Sequence, residues 1–278
     1  MNPTLNQLYT IHRKLSPLDL RLLVQFVTAK SAVDFVKNPD YELTDQELKQ
    51  LELLVEKVST GYPVAYILGE KEFFGRTFVV NEAVLIPRPE SEGLIELAIS
   101  QIKSKNSAKF TLLEIGTGSG ALVITLALEL AKLFPEIQLQ CLAFDISPAA
   151  LQVAKTNCQY FALNNLEFRE SDLLSALLPG ERYFDLIIAN LPYLKEDDPL
   201  PKFEPKSAFV AGSDGLDLYR RLFRQLQELE VAYQDLICEI GYDQEQGIKA
   251  VAAAELGNPG QVLNDLANLP RIFHFNSK

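Results

Sequence analysis

The densest chemistry in the sequence lies at Asn190-Leu191-Pro192-Tyr193. The Asn190 side-chain carbonyl and the Leu191 backbone carbonyl, which the following proline biases to an extended conformation, are two acceptors able to hold one planar NH2 group. Tyr193 offers a ring face for the π-system of that group. An amide nitrogen is a poor nucleophile because its lone pair is delocalised, so a site that acts on it must orient it and favour its pyramidalisation. Acceptors on both N–H bonds do both. Taken alone, the tetrapeptide reads equally well as an Asn-Pro type turn that closes a strand.

Upstream, Glu114-Ile115-Gly116-Thr117-Gly118-Ser119-Gly120 runs from an apolar stretch into a helical pattern. Glycines there let backbone approach a ligand, and a helix start presents unpaired amides to a polar group. No Gly-Lys-Ser/Thr follows, so this is not a P-loop, and the spacing G-x-G-x-G misses the dinucleotide fingerprint G-x-G-x-x-G. By itself the stretch is also compatible with a structural tight turn. Asp145 closes the next apolar run, where a carboxylate can accept from both hydroxyls of a ribose. Ser171-Asp172-Leu173 closes the one after it and places another acid within reach of an adenine amine. Each acid alone reads as a solvated loop residue or a helix cap. Three successive strands that end in glycine-rich or acidic turns favour a nucleoside site.

Other chemistries find little support. His12 and His274 stand at opposite ends of the chain, and Cys141, Cys158 and Cys238 form no Cys-x-x-Cys pair. Zinc hydrolysis, Ser-His-Asp catalysis and a disulfide framework are therefore disfavoured, no metal site is expected, and the cysteines read as small core residues. A net charge of −11 argues against sequence-independent phosphate binding over a large surface, so stable nucleic-acid binding is not expected. No apolar run is long enough for a membrane span, and Met1-Asn2-Pro3-Thr4 lacks the blocks of a signal peptide; a cytoplasmic protein is the expectation.

The elements that must position these groups follow a clear order. Residues 1–68 read as a helical module: Ser16-Pro17 offers an N-cap with proline at N1, and Thr44-Asp45-Gln46-Glu47 matches a capping box ahead of Leu48, Leu51, Val55 and Val58. Its apolar faces and its lack of catalytic groups make it a candidate for docking a protein substrate. Residues 69–84, with Gly69, Gly75 and aromatic runs at Phe73, Phe74 and Phe78, read as a hairpin linker, with the domain boundary near Asn81. From 85 to 278, strands at 111–115, 139–144, 166–169, 185–189 and 235–240 alternate with helical patterns at 121–133, 148–162, 216–231 and 244–256. Strands at 261–266 and 271–275 end the chain. That alternation implies an α/β, Rossmann-like, mostly parallel sheet covered on both faces.

Motif by motif, the chain resembles the N(5)-glutamine methyltransferases of the PrmC/HemK type, which modify peptide chain release factors. The likeness runs through Gly61-Tyr62-Pro63-Val64-Ala65-Tyr66-Ile67-Leu68-Gly69, Glu72-Phe73-Phe74-Gly75 and Leu85-Ile86-Pro87-Arg88-Pro89-Glu90-Ser91-Glu92. It continues through 114–120, 190–193, Glu204-Pro205, Gly212-Ser213-Asp214-Gly215-Leu216 and Glu239-Ile240-Gly241 with Gln244. The chain departs from the family pattern where Glu114 stands for the usual Asp, where Glu90-Ser91-Glu92 stands for Asp-Thr-Glu, and where Leu191 stands for the first proline of Asn-Pro-Pro-Tyr.

The resemblance implies a seven-stranded class I S-adenosylmethionine-dependent methyltransferase domain behind an N-terminal helical domain. The implied acceptor is the glutamine of a release factor Gly-Gly-Gln motif. In that reading Gly116, Thr117, Gly118 and Gly120 admit the S-adenosyl-L-methionine, Glu114 takes its ammonium, Asp145 its ribose, and Asp172 with the Leu173 amide its adenine. Asn190, Leu191, Pro192 and Tyr193 form the catalytic tetrapeptide. The leucine variant is also similar to the motif of enzymes that methylate the exocyclic amine of adenine in ribosomal RNA; such enzymes extrude the base and carry a basic surface. A third reading, a cofactor-binding scaffold with a disabled site, sits poorly with intact Asn190, Pro192 and Tyr193.

Overall fold

The computed structural model describes residues 2–103 and 109–277. The chain divides into two compact units, Met1–Glu70 and Lys71–Lys278. The first holds helices α1 (Leu5–Ile11), α2 (Pro17–Thr28), α3 (Ala32–Lys37), α4 (Asp45–Ser59) and α5 (Val64–Leu68). Side-chain capping starts four of them. Thr4, Ser31 and Thr44 head reciprocal capping boxes, and Ser16 accepts from the Asp19 N–H with Pro17 at N1. Leu8, Leu20, Leu23 and Leu51 fill the core that these helices share. The expected starts at Ser16 and Thr44 are present, whereas α1, α3 and α5 are too short for their periodicity to stand out.

The second unit opens with the hairpin β1 (Glu70–Phe73) and β2 (Arg76–Val79), which turns through Phe74 and Gly75, both at positive φ. This hairpin is no linker. Phe73 and Phe78 are buried in the same apolar cluster as Leu94 and Leu126. The buried Asn157 side chain accepts from the Val79 N–H at 2.7 Å and donates to its carbonyl at 3.0 Å. A two-stranded ribbon cannot bury its own face, so it joins the larger core, and the division falls at Glu70/Lys71 instead of near Asn81.

Then follow α6 (Glu92–Lys103), β3 (Lys109–Ile115), α7 (Ala121–Leu133), β4 (Gln138–Asp145), α8 (Pro148–Tyr160), β5 (Leu166–Glu170), β6 (Tyr183–Ala189), α9 (Asp217–Glu228), β7 (Ala232–Glu239), α10 (Glu245–Leu256), β8 (Gln261–Asn264) and β9 (Pro270–Asn276). Short 3-10 turns occupy Pro89–Ser91 and Lys206–Ala208. The seven strands lie in the order β5-β4-β3-β6-β7-β9-β8. The first five are parallel, and β9 is antiparallel to both β7 and β8. All seven expected strands are therefore present. Helix α6 lies beyond the 85–92 motif, in a stretch for which the sequence analysis gives no element. Cys141, Cys158 and Cys238 are buried and free, as the sequence suggested.

The chain steps from β3 outward to β4 and β5, then returns to the other side of β3 as β6. A crevice opens at such a reversal, outside the carboxyl ends of the strands. Ile115 pairs with Ala189 in the register of β3 and β6, so the turn after Ile115 and the tetrapeptide after Ala189 flank that crevice.

Candidate functional site

A cavity of about 360 Å³ sits at this edge of the sheet. Its wall includes Glu114, Gly116, Thr117, Gly118, Asp145, Asp172, Leu173, Asn190, Leu191 and Pro192, the sequence-predicted residues that the fold gathers there. Gly120 and Tyr193 stand outside this wall. Gly120 is the N-cap of α7 at φ +79°, and a Cβ there would meet Ile124 at 2.9 Å and Ala154 at 3.3 Å, so it serves the packing of α7 beside α8. The Tyr193 hydroxyl donates to Glu239 at 3.1 Å, so the side chain acts within the supporting structure of the tetrapeptide.

Gly120 supplies no capping side chain, and Glu114, at the end of β3, accepts from the Thr117 hydroxyl in the turn ahead of α7. Glu114 is 1% exposed yet lines the cavity. Burial pushes its pKa up to about 8, the Thr117 and Val123 donors oppose the rise, and the nearby Asp145 adds to it. Folding therefore favours the protonated form. Below the ordinary value of 4.5 both folded and unfolded chains hold the proton and the stability is full; as pH rises through about 8, the unfolded chain has already ionised and stability falls. Glu114→Gln keeps the acceptor for Thr117 and lacks this titration. Its stability relative to wild type, measured by urea unfolding without cofactor, should rise between pH 4.5 and about 8; a flat difference would contradict the assignment.

Asp145 accepts from the Gly118 N–H at 2.8 Å and the Ser147 N–H at 2.9 Å. Burial raises its pKa against these donors. Each oxygen keeps a lone pair that can accept from a ribose hydroxyl. Asp172 is paired with Arg221 at 2.6 Å and is half exposed, so any contact of its carboxylate with an adenine amine competes with this guanidinium. Leu173 turns the chain at φ +54°, and its carbonyl accepts from the Ser171 hydroxyl.

These residues fit an S-adenosylmethionine group. A Cβ at Gly118 would project into open space at the cavity wall, so the glycine leaves room there. Carboxylates at the ends of β3, β4 and β5 match an ammonium, a ribose and an amine in that order, and Leu85, Leu122 and Ile146 add apolar wall for a base. Asp145→Ala removes acceptors for two ribose hydroxyls and should weaken cofactor binding by about 1–3 kcal/mol, read by calorimetry. Unchanged affinity would place the ribose elsewhere.

Opposite, the Asn190 NH2 donates to Ser91 Oγ at 3.0 Å and to Glu239 Oε2 at 2.9 Å. Both of its N–H bonds are thus used inside the protein, and the side-chain oxygen is the atom left to accept at the cavity. Leu191 is 4% exposed, and its side chain packs over Gly116. The Gln244 amide donates to the Tyr193 carbonyl at 2.8 Å and the Asp214 carbonyl at 3.1 Å, while its oxygen accepts from the Gly241 N–H at 2.8 Å. Glu204 accepts from the Ile86 N–H at 3.0 Å and pairs with Arg88, which fastens the 86–88 segment beside Pro205 at the cavity wall.

Ser91, Glu204, Glu239 and Gln244 had no assigned role in the sequence. An acid at the end of β7 was legible, but that β7 lies beside β6 was not. Among the described residues no cluster of His, Cys, Asp or Glu is placed to hold a metal ion, and no helix is long and apolar enough to cross a membrane.

Comparison with known proteins covers both parts of the chain. The PrmC N-terminal domain family matches residues 7–69, and a methyltransferase domain family matches 106–245. A release factor glutamine methyltransferase of Neisseria gonorrhoeae is 33% identical over 264 residues, covering 93% of each chain. One from Koribacter versatilis is 36% identical over 261 residues, covering 92% of this chain and 89% of its own. Among solved structures, the hMettl16 catalytic domain in complex with MAT2A 3'UTR hairpin 6 superposes with a TM-score of 0.54 over 80% of this chain and 92% of its own. At 14% identity that likeness speaks for the fold alone. With both of its domains matched in order and relatives of this identity aligned over nearly its whole length, the chain belongs to the release factor glutamine methyltransferase family.

Proposed function

We propose that this enzyme transfers a methyl group from S-adenosylmethionine to the side-chain nitrogen of the glutamine in the Gly-Gly-Gln motif of a peptide chain release factor, working in the cytoplasm. The observation that carries the reading is the orientation of Asn190: with its NH2 engaged by Ser91 and Glu239, it offers an oxygen to the cavity. That oxygen and the Leu191 carbonyl suit the two N–H bonds of a primary amide. The cofactor supplies an electrophilic methyl group on a positively charged sulfur. Glu114, Asp145, Asp172 and Leu173 hold it at the ends of β3 to β5. Asn190 and Leu191 hold the acceptor nitrogen on the other side of the crevice. The methylated nitrogen would release one N–H proton to solvent, and rate comes from alignment more than from acid–base work, since holding reactants in a near-attack geometry is itself worth several kcal/mol.

An exocyclic adenine amine would also satisfy two acceptors, but a net charge of −11 argues against sequence-independent binding of RNA over a large surface. The helical unit, with Ile11, Leu18, Val33, Val36 and Leu53 exposed, supports a role in docking protein.

Incubation with labelled cofactor and a mixture of release factor, ribosomal RNA and ribosomal protein tests the reading. Mass spectrometry should place the label on the release factor glutamine; label on RNA and none on protein would overturn it. In the same assay, deletion of residues 1–70 should raise KM for whole release factor far more than for a short Gly-Gly-Gln peptide. Equal losses would reduce the unit to a stabilising role.

A further inference from the structure

Glu239 ends β7 at 2% exposure, beside Asn190 because Ala189 pairs with Cys238 in the register of β6 and β7. Three donors from distant parts of the chain converge on its carboxylate: the Ser91 hydroxyl and the Asn190 NH2 on Oε2, and the Tyr193 hydroxyl on Oε1. All three contacts run as donations to the Glu239 oxygens, so each of these groups presents a hydrogen to the carboxylate, and the Ser91 and Tyr193 donors oppose the rise in its pKa that burial brings. Ser91 and Tyr193 can rotate a hydroxyl; Asn190 can obey only by turning its NH2 inward and its oxygen outward.

The geometry points to Glu239 as the positioning residue that sets the amide orientation of Asn190, with Ser91 as its second contact. The inference rests on the proposed role of the Asn190 oxygen. Without the carboxylate, the Asn190 amide has no fixed hand. Flipped, it would present NH2 to an incoming NH2 group, donor against donor. The tyrosine of the tetrapeptide acquires a role in the same arrangement: its hydroxyl steadies Glu239 from the other oxygen.

The test is a double-mutant cycle on the full-length enzyme with cofactor and acceptor. Glu239→Ala should lower kcat about thirty-fold, with KM and cofactor affinity changed less than about threefold, as the loss of an oriented polar group requires. Glu239→Gln, whose carbonyl can still accept from Asn190, should recover turnover to within about fivefold of wild type. In the Asn190→Ala background, Glu239→Ala should cost no more than about twofold, because a residue that acts through Asn190 has nothing left to position. A full, multiplicative loss in that background would mean that Glu239 merely supports the fold, and near-wild-type turnover of Glu239→Ala would also overturn the proposal. Should Glu239→Ala not fold, Ser91→Ala runs the same cycle, with about a fivefold loss alone and none in the Asn190→Ala background. The cycle is read on whichever acceptor the wild type methylates. Wild-type activity on RNA alone would thus overturn the glutamine substrate and still decide the role of Glu239.

Discussion

Asn190→Ala should lower kcat on release-factor glutamine by about a hundred- to a thousand-fold, the effect of removing one preorganised polar group from an active site. Cofactor affinity should fall much less, since Glu114 and Asp145 lie across the crevice on β3 and β4. Steady-state kinetics with calorimetry of cofactor binding separates the two quantities, and an Asn190→Ala enzyme with near-normal turnover would sink the mechanism. Leu191→Pro, which restores the usual family tetrapeptide, provides the companion arm. It keeps the carbonyl and should keep the glutamine product. It also removes the buried side chain that packs over Gly116, so a stability loss of about 1 kcal/mol is expected. If adenine were the acceptor, wild type and Leu191→Pro would give only methylated RNA, Asn190→Ala would abolish that activity, and no form would give a protein product.

The second large effect is expected at a residue that touches neither cofactor nor acceptor. Gly215 sits at φ +74°, and a Cβ there would fall 2.1 Å from the Tyr193 carbonyl oxygen and 2.5 Å from the Gln244 amide nitrogen. Neither neighbour is a free side-chain end: Gln244 is held by the Tyr193, Asp214 and Gly241 backbone. Gly215→Ala must therefore push the chain at Tyr193 and with it the acceptor oxygens at 190 and 191. A displacement of about 1 Å at reacting groups is enough for roughly a hundredfold loss of kcat. Cofactor affinity should hold, because the β3 and β4 turns are not moved. Wild-type kcat in this variant would show that the tetrapeptide is not fixed by the 212–216 turn.

Much of this site was legible before folding. Local signals carried Asn190, Leu191 and Pro192, the 114–120 turn, Asp145 and Asp172, because each follows an apolar run and the ends of parallel strands share one edge of a sheet. The alternation of runs and helical patterns also sufficed for a Rossmann-like sheet with a helical unit ahead of it, since period and length are local properties. The hairpin shows where such reading stops. Its strands and turn were visible in the aromatic and glycine pattern, but its membership of the larger core depends on Asn157, 78 residues away from Val79.

The roles inside the site were decided in the same way by contacts that no local pattern encodes. Strand order put β7 beside β6 and so Glu239 beside Asn190, 49 residues apart, with Ser91 arriving from 99 residues away. The sequence by itself determined which groups could accept an N–H and on which edge of the sheet they would stand. Tertiary structure decided which way Asn190 faces, that Glu114 holds the Thr117 hydroxyl as well as lining the cavity, and that Gly120 and Tyr193 support the site from outside its wall. The physical reason is that hydrogen-bond direction in a buried site is settled by partners, and partners distant in sequence meet only when the sheet closes its register.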